Sequence, residues 1–444
     1  MNRTGSSKIK EWKDKILSFD SEKISKVLSL ISMLYLLLNY RHGGARDFGL
    51  YVENGQNFLK GIDSYTLNLW RSGSFGTSFI GILGWLIPIS IQPPVFQLLN
   101  MLGIYLFLRL IMQGDAQSNL YKIYFISLWS SPFREMLNTI QITGFVFGLI
   151  GFAFHRNYSF RYPKLQFFLK FFALGLAVDL KPHSVLAICV LLFFADRERK
   201  LIIYSFLTVV IFHILISLRA GKLLELEWLH NLQNLGNASN SSGESTSIWK
   251  LLNYISNDKI DFALPAVILL LVILGIGLRL KSRLDFTSIL FFGILITVLQ
   301  LYTHFYDLIP LVLLYFASFF KKEISILDYI CFSLVLIPRE FSSVTNIFLV
   351  IVMFAFLIFV SSQKRNQHQT HSKVLFPAIL GLFASFVIHL LNQRTHLEYR
   401  IMHSLVTFEV TLIMVVISGL SIRKELNSKL GFSSNPLEIE TGVE

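Results

Sequence analysis

Apolar residues run almost unbroken over 24–40, 95–113, 201–219, 343–361, 373–391 and 401–421, and the polar residues fall mainly between these runs. Each run approaches the roughly 20 residues with which a helix crosses about 30 Å of hydrocarbon. Backbone polar groups in lipid must satisfy one another, so the runs predict helices. Shorter runs at 121–133, 140–155, 166–180, 184–195, 262–280, 286–302, 306–319 and 325–338 extend the series to about 12 to 14 spans. The run 78–92 is different: it is short, holds Pro88 and leads into Pro93-Pro94, which predicts an interfacial or re-entrant helix in place of a span. Before the first run, residues 6–20 set Ile9, Trp12, Ile16, Leu17 and Phe19 among lysines, a pattern that suits an amphipathic helix on a membrane surface.

Composition agrees with this class. Of 444 residues 53% are hydrophobic and 15% charged, where a water-soluble domain carries about 25% charged residues. The net charge of +12 does not point to nucleic acid. Basic residues of a multispanning protein gather in cytoplasmic loops beside anionic lipid, and with the N-terminus inside, one face receives roughly 27 of the 40 Lys and Arg. Counting 78–92 as a span would reverse every later loop and destroy that bias. The chain therefore divides into a basic cytoplasmic N-terminus (1–23), a transmembrane domain (24–421) and a polar cytoplasmic tail (422–444). Residues 41–94 form the first extracytoplasmic loop, and 220–261 a long one that is too polar to pack alone and is read as a mobile flap. The first span serves as an uncleaved anchor in the cell membrane. Cys189 and Cys331 lie inside apolar runs and read as packing residues.

Ionisable residues at the extracytoplasmic junctions are the candidates for chemistry. Asp47 follows the first span between Arg46 and Phe48, where partial desolvation favours a general base; the bland alternative is a solvated loop carboxylate. Gly61-Ile62-Asp63-Ser64-Tyr65 reads as a turn presenting Tyr65. Arg134 and Gln141 flank the tip between two runs, where a guanidinium either snorkels or forks onto a phosphate. Asp179, Lys181 and His183 surround Pro182 at another junction. An Asp179–Lys181 ion pair is the structural reading there, and a lysine aimed at a phosphate the functional one. His304 and Asp307 repeat the theme, whereas His213 and His389 read as packed, hydrogen-bonded histidines. No Asp-x-Asp pair, phosphate loop or HExxH motif is present, and no soluble segment is large enough to hold a nucleotide.

The ordered series Asp47 with Tyr51, Leu59-Lys60-Gly61 with Tyr65, Ser131-Pro132 with Arg134, Gln141, Gly175-Leu176 leading to Lys181-Pro182, and His304 resembles glycosyltransferase family 87, over about residues 25–320. The chain departs from that pattern at Ile140, where the family usually has Gly, in SGSFGTSF (72–79) where a Tyr-Pro-Pro-like element is frequent, and in Phe305 beside His304. The resemblance implies an all-α, GT-C-like bundle with extracytoplasmic juxtamembrane helices in the first outer loop. It also implies an inverting hexosyl- or pentosyltransferase, moving mannose or an arabinofuranose-like sugar from a polyprenyl-phosphate donor to a lipid or glycan acceptor. Asp47 would be its base, and Arg134, Gln141, Lys181, His304 and Tyr65 would bind the donor. Membrane lipids are the other expected partners, with no nucleic acid, no metal and no cofactor. Two readings compete: a transporter or flippase with Asn100, His213 and Gln300 along a path, and a polymerase or ligase for lipid-linked glycans.

Overall fold

The computed structural model describes residues 21–39, 46–68, 72–112, 119–155, 161–181, 184–239 and 305–319, with isolated helical positions between 268 and 294. Among these residues there is no strand. The expected spans at 262–280 and 286–302 lie largely, and those beyond 319 wholly, outside the described residues, as does the amphipathic segment 6–20.

The first run is α1, Ser21–Asn39. The stretch between the first span and residue 78 is more ordered than its mixed composition suggests: it holds α2 (Arg46–Leu59), the short α3 (Ser64–Asn68) and the start of α4 (Ser74–Leu86). Glycines let α2 and α4 touch. A Cβ on Gly55 would stand 2.1 Å from the Thr77 carbonyl oxygen, and one on Gly81 2.5 Å from the Gly55 carbonyl carbon. At 13 residues α4 is about 20 Å long, well short of a hydrocarbon core. Trp85, Leu86 and Ile89 are exposed at its far end, and Gln92 Nε2 donates to the Gly84 and Ile87 carbonyls there, satisfying two groups the helix leaves unpaired.

Helix α5 (Gln92–Ile111) takes its prolines in the first turn, where a missing N–H costs nothing. Together with the stretch Asp196–Ala220 it is one of two described helices long and apolar enough to cross a membrane. The run read as one span at 121–133 is instead two helices, α6 (Leu120–Trp129) and α7 (Ser131–Thr139). Ser130 between them is extended, the usual backbone geometry of a residue that caps the start of a helix. Next come α8 (Thr143–Phe154), α9 (Pro163–Leu180), α10 (Ser184–Phe194) and α11 (Arg199–Ala220). The last described helix, α13 (Ile309–Phe319), follows a tight turn at Phe305–Leu308.

Helices α5 and α8 run parallel and pack backbone to backbone. A Cβ on Gly103 would stand 2.1 Å from the Gly144 oxygen, one on Gly148 2.3 Å from Gly103 Cα, and one on Gly151 2.7 Å from the Phe107 nitrogen. Small residues one turn apart are the usual device for close helix approach in lipid. A continuous apolar core from α5, α6, α8, α9 and α10 surrounds this contact. The opposite preference appears on α11, whose Ile203, Leu207, Val210, Ile211, Ile214 and Leu218 are exposed. An apolar stripe of that length suits lipid and is rare on a monomer in water.

The proximal half of the long polar loop is a helix, α12 (Leu224–Ser239), which corrects the expected flap as far as residue 239. Leu224 is fully buried against Phe58 and Tyr65, and Asn231 Nδ2 donates to the Tyr65 carbonyl at 2.8 Å. Residues 240–261 lie outside the described residues.

Candidate active site

The bundle gathers its buried charges at one end, where α9 stops. Lys181 precedes Pro182, which disfavours helical geometry for it. It adopts φ −128°, and the chain bends away from the α9 axis. Its ammonium meets Asp307 Oδ1, on the tight turn before α13, at 2.6 Å. Both side chains are almost inaccessible, at 6% and 5% exposure. Thr143, two residues beyond Gln141, lies 3.5 Å from the same carboxylate oxygen. The Asp179–Lys181 pair, one of the two readings of this junction, is therefore not formed. Two residues apart at the end of a helix, the side chains project about 200° from one another, and each finds a partner from another element.

Asp179 is itself buried. Its Oδ2 accepts the Gly76 N–H at 2.7 Å, and its main-chain oxygen accepts the Gly73 N–H at 2.8 Å, so α9 caps the N-terminus of α4. Its Oδ1 lies 2.5 Å from His213 Nε2, on α11. His213 Nδ1 in turn lies 3.3 Å from Glu225 Oε1, on α12. Ser217 Oγ donates to Glu225 and accepts the Leu224 N–H. Partial burial pushes the Glu225 carboxyl upward, but the hydrogen bonds from His213 and Ser217 outweigh it and hold the group below its ordinary range.

Arg134 lies buried on α7, which packs against the Asp307 turn and against α2. A left-handed residue, Ile140 at φ 51°, ends α7, with the Gln141 N–H returning to the Met136 oxygen. This is the C-terminal motif that normally takes glycine. Gln141 is buried, and its carbonyl accepts Asn100 Nδ2 at 2.7 Å. Asn100 Oδ1 also takes the Phe145 N–H at 2.9 Å, so this asparagine is spent on the start of α8.

Asp47 lies in the first turn of α2, next to Phe48, whose ring packs at a 38° tilt against Phe96 with centroids 4.1 Å apart. Tyr65 is buried beside Ser74 at the α4 N-terminus. Burial first, and then the Asp179 carboxylate, push its phenol well above the ordinary range, so it stays neutral. His304 and His183 lie outside the described residues. Among the described residues, Lys181 is brought to Asp307, and Arg134 and Gln141 to the same end of the bundle by α7 and the start of α8. Tyr65 sits on the neighbouring Asp179 side. No three His, Cys, Asp or Glu side chains converge on a common metal position among the described residues.

The sequence profile of glycosyltransferase family 87 matches residues 74–301, just over half of the chain. The chain belongs to glycosyltransferase family 87. Members of the family are membrane glycosyltransferases, which accords with the helical architecture and the apolar helices seen here. No curated protein and no solved structure matches the chain. Arg134, Gln141 and Lys181 fall within the stretch matched to family 87, whereas Asp47, Tyr65 and His304 fall outside it.

Two further residues bear on the site and were not singled out for it by sequence. His213 reads as a packed histidine, and it is packed; what was missed is that both ring nitrogens face carboxylates. Glu225 sits in a loop too polar to look structured. The signal available was an ionisable group within an apolar run, which requires a partner.

Proposed function

We propose that this family 87 enzyme moves a mannose or arabinofuranose-like sugar from a polyprenyl-phosphate donor to a lipid or glycan acceptor. The reaction takes place at the extracytoplasmic face of the cell membrane, in a multi-pass bundle whose N-terminus is cytoplasmic. Asp47 removes the proton of the acceptor hydroxyl. The hydroxyl oxygen bonds to the anomeric carbon as the bond from that carbon to the phosphate oxygen breaks, and the bonding pair leaves with the phosphate, inverting the centre. A phosphate leaves as a stable anion, so no general acid is needed. The growing charge is balanced by Lys181, Arg134 and His304, while Gln141 and Tyr65 shape the donor site.

The observation that carries this reading is the buried Lys181 ammonium at the charged end of the bundle, inside the stretch matched to the family. A buried cation is costly unless it has an anion to serve. Asp307 holds it in place, and an incoming phosphate competes for it. The transporter reading loses two of its path residues: Asn100 is committed to backbone groups and His213 to two carboxylates.

Transfer by the purified enzyme, assayed with polyprenyl-phosphate mannose and its arabinofuranose counterpart, tests the scheme. General-base catalysis is worth about 10²–10⁴-fold, so Asp47→Asn is expected to fold normally and lose at least ~100-fold in rate. A variant turning over at the wild-type rate removes Asp47 from the mechanism. Full activity is expected in chelator, and rescue only by a divalent ion overturns the metal-free scheme.

A further inference from the structure

The link Asp179–His213–Glu225 joins three elements that the proposed chemistry does not otherwise connect. We propose that His213 is a positioning residue for the donor phosphate: held between Glu225 and Asp179, it fixes the end of α9 and so the place of Lys181. The inference rests on the reading of Lys181 as the phosphate-binding residue.

The geometry is specific. Asp179 is 4% exposed and makes one bond to each of two elements through its side chain, to α4 at Gly76 and to α11 at His213. Two residues further on stands Lys181. There is no room for the end of α9 to shift toward α4, since a Cβ on Gly73 would stand 2.0 Å from Asp179 Oδ1 and one on Gly76 2.7 Å from Leu180 Cγ. His213 closes the opposite side. An imidazole that donates from both nitrogens is an imidazolium, and here both face carboxylate oxygens, at 2.5 and 3.3 Å. The ring is further confined by the Trp228 edge, with centroids 6.1 Å apart. The outer carboxylate belongs to α12, so the polar loop is coupled through one charged ring to the backbone that carries Lys181. Placement errors of about 1 Å at such distances cost up to 10²-fold in function.

Binding of polyprenyl monophosphate to the full chain in detergent, read by native mass spectrometry and by the phosphorus NMR shift of the bound lipid, tests this without knowledge of the sugar. The variant Lys181→Met/Asp307→Asn removes both charges together and is expected to weaken binding about 100-fold, to a level still measured at high lipid concentration; wild-type affinity in it overturns the lysine reading itself. His213→Gln is expected to weaken binding about tenfold, to move the phosphorus shift toward that of free lipid, and to add nothing when combined with the Lys181/Asp307 variant. Wild-type affinity in His213→Gln, with binding weakened in the Lys181/Asp307 variant, overturns the positioning role alone. An additive loss in the combined variant also overturns it, because His213 would then act elsewhere. Should His213→Gln not fold, Glu225→Gln keeps the ring and its packing while removing the outer charge; about threefold weaker binding is expected, and unchanged binding overturns the proposal.

Discussion

At the scale of single residues, the decisive feature is how the buried charges are paired. Lys181 and Asp307 are both almost sealed from solvent. Removing one partner of such a pair leaves an uncompensated charge and costs about 3–5 kcal/mol, whereas neutralising both is often close to neutral. Lys181→Met is therefore expected to lower the thermal midpoint in detergent sharply, and Lys181→Met/Asp307→Asn to recover most of it without recovering activity. A single variant as stable as wild type would mean that Asp307 is not relying on Lys181. The candidate residues were legible in the sequence because ionisable groups beside apolar runs are conspicuous; their pairing was not. Asp179 and Lys181 are neighbours in sequence, but their partners come from residues 34 and 126 positions away, and local spacing holds no record of that. Ile140 shows the converse. Glycine would relieve a left-handed strain of roughly 1–2 kcal/mol, but the side chain is fully buried, and deleting it would cost about 2–5 kcal/mol. Packing outweighs backbone strain here, so the isoleucine stays where glycine is expected.

At the scale of elements, glycine position separates helices that touch from helices that merely lie near. Gly148 meets Gly103 Cα, while a Cβ on Gly49 in α2 meets nothing within 4 Å. Gly148→Ala is expected to push α5 and α8 apart and to lower stability and yield. Gly49→Ala has no clash to meet and is expected to be neutral or to stabilise by up to about 1 kcal/mol through helix propensity; equal melting of the two variants would refute the close contact. The α12 helix is held by charge as well as by Leu224. Its Glu225, and Asp63 on the α3 turn paired with Lys222, both have carboxyls held below their ordinary values despite the opposing effect of burial. Groups depressed on folding stabilise fully above the unfolded value, near 4, and lose that contribution as pH falls through the folded one. Trp228 fluorescence, taken as the difference from Trp228→Phe, is expected to hold steady from pH 7 to about 5 and to change below about 4. A transition near neutrality would show that these carboxylates do not hold the helix. None of this docking was visible in a polar, glycine- and serine-bearing loop, because α12 is ordered by tertiary contacts and not by its own apolar content.

At the scale of the whole molecule, helices α1, α5, α6 and α8 among the described residues fall into one consistent order of direction. The contacts Ser29–Tyr121 and Ser32–Trp129 make α1 and α6 parallel. Gly103–Gly144 and Phe107–Gly151 make α5 and α8 parallel. The contacts Tyr105–Tyr121 and Met101–Tyr124 set α6 antiparallel to α5, so α1 and α6 run one way and α5 and α8 the other. The expectation that 78–92 is no span is compatible with this order, and α4, at 13 residues, is short for a hydrocarbon core. The sidedness itself remains a matter of charge. Arg161 and Lys164 open α9, while Lys181 closes it about 27 Å away, and in the proposed orientation the opening faces the cytoplasm, where basic residues of multispanning proteins gather. In intact cells, with native cysteines replaced, His230→Cys, at an exposed position of α12, is expected to react with a membrane-impermeant maleimide, and Lys164→Cys to react only after permeabilisation. The reverse pattern would put the Lys181 end in the cytoplasm. A donor presented at the outer leaflet could not then reach that end, whichever sugar it carried.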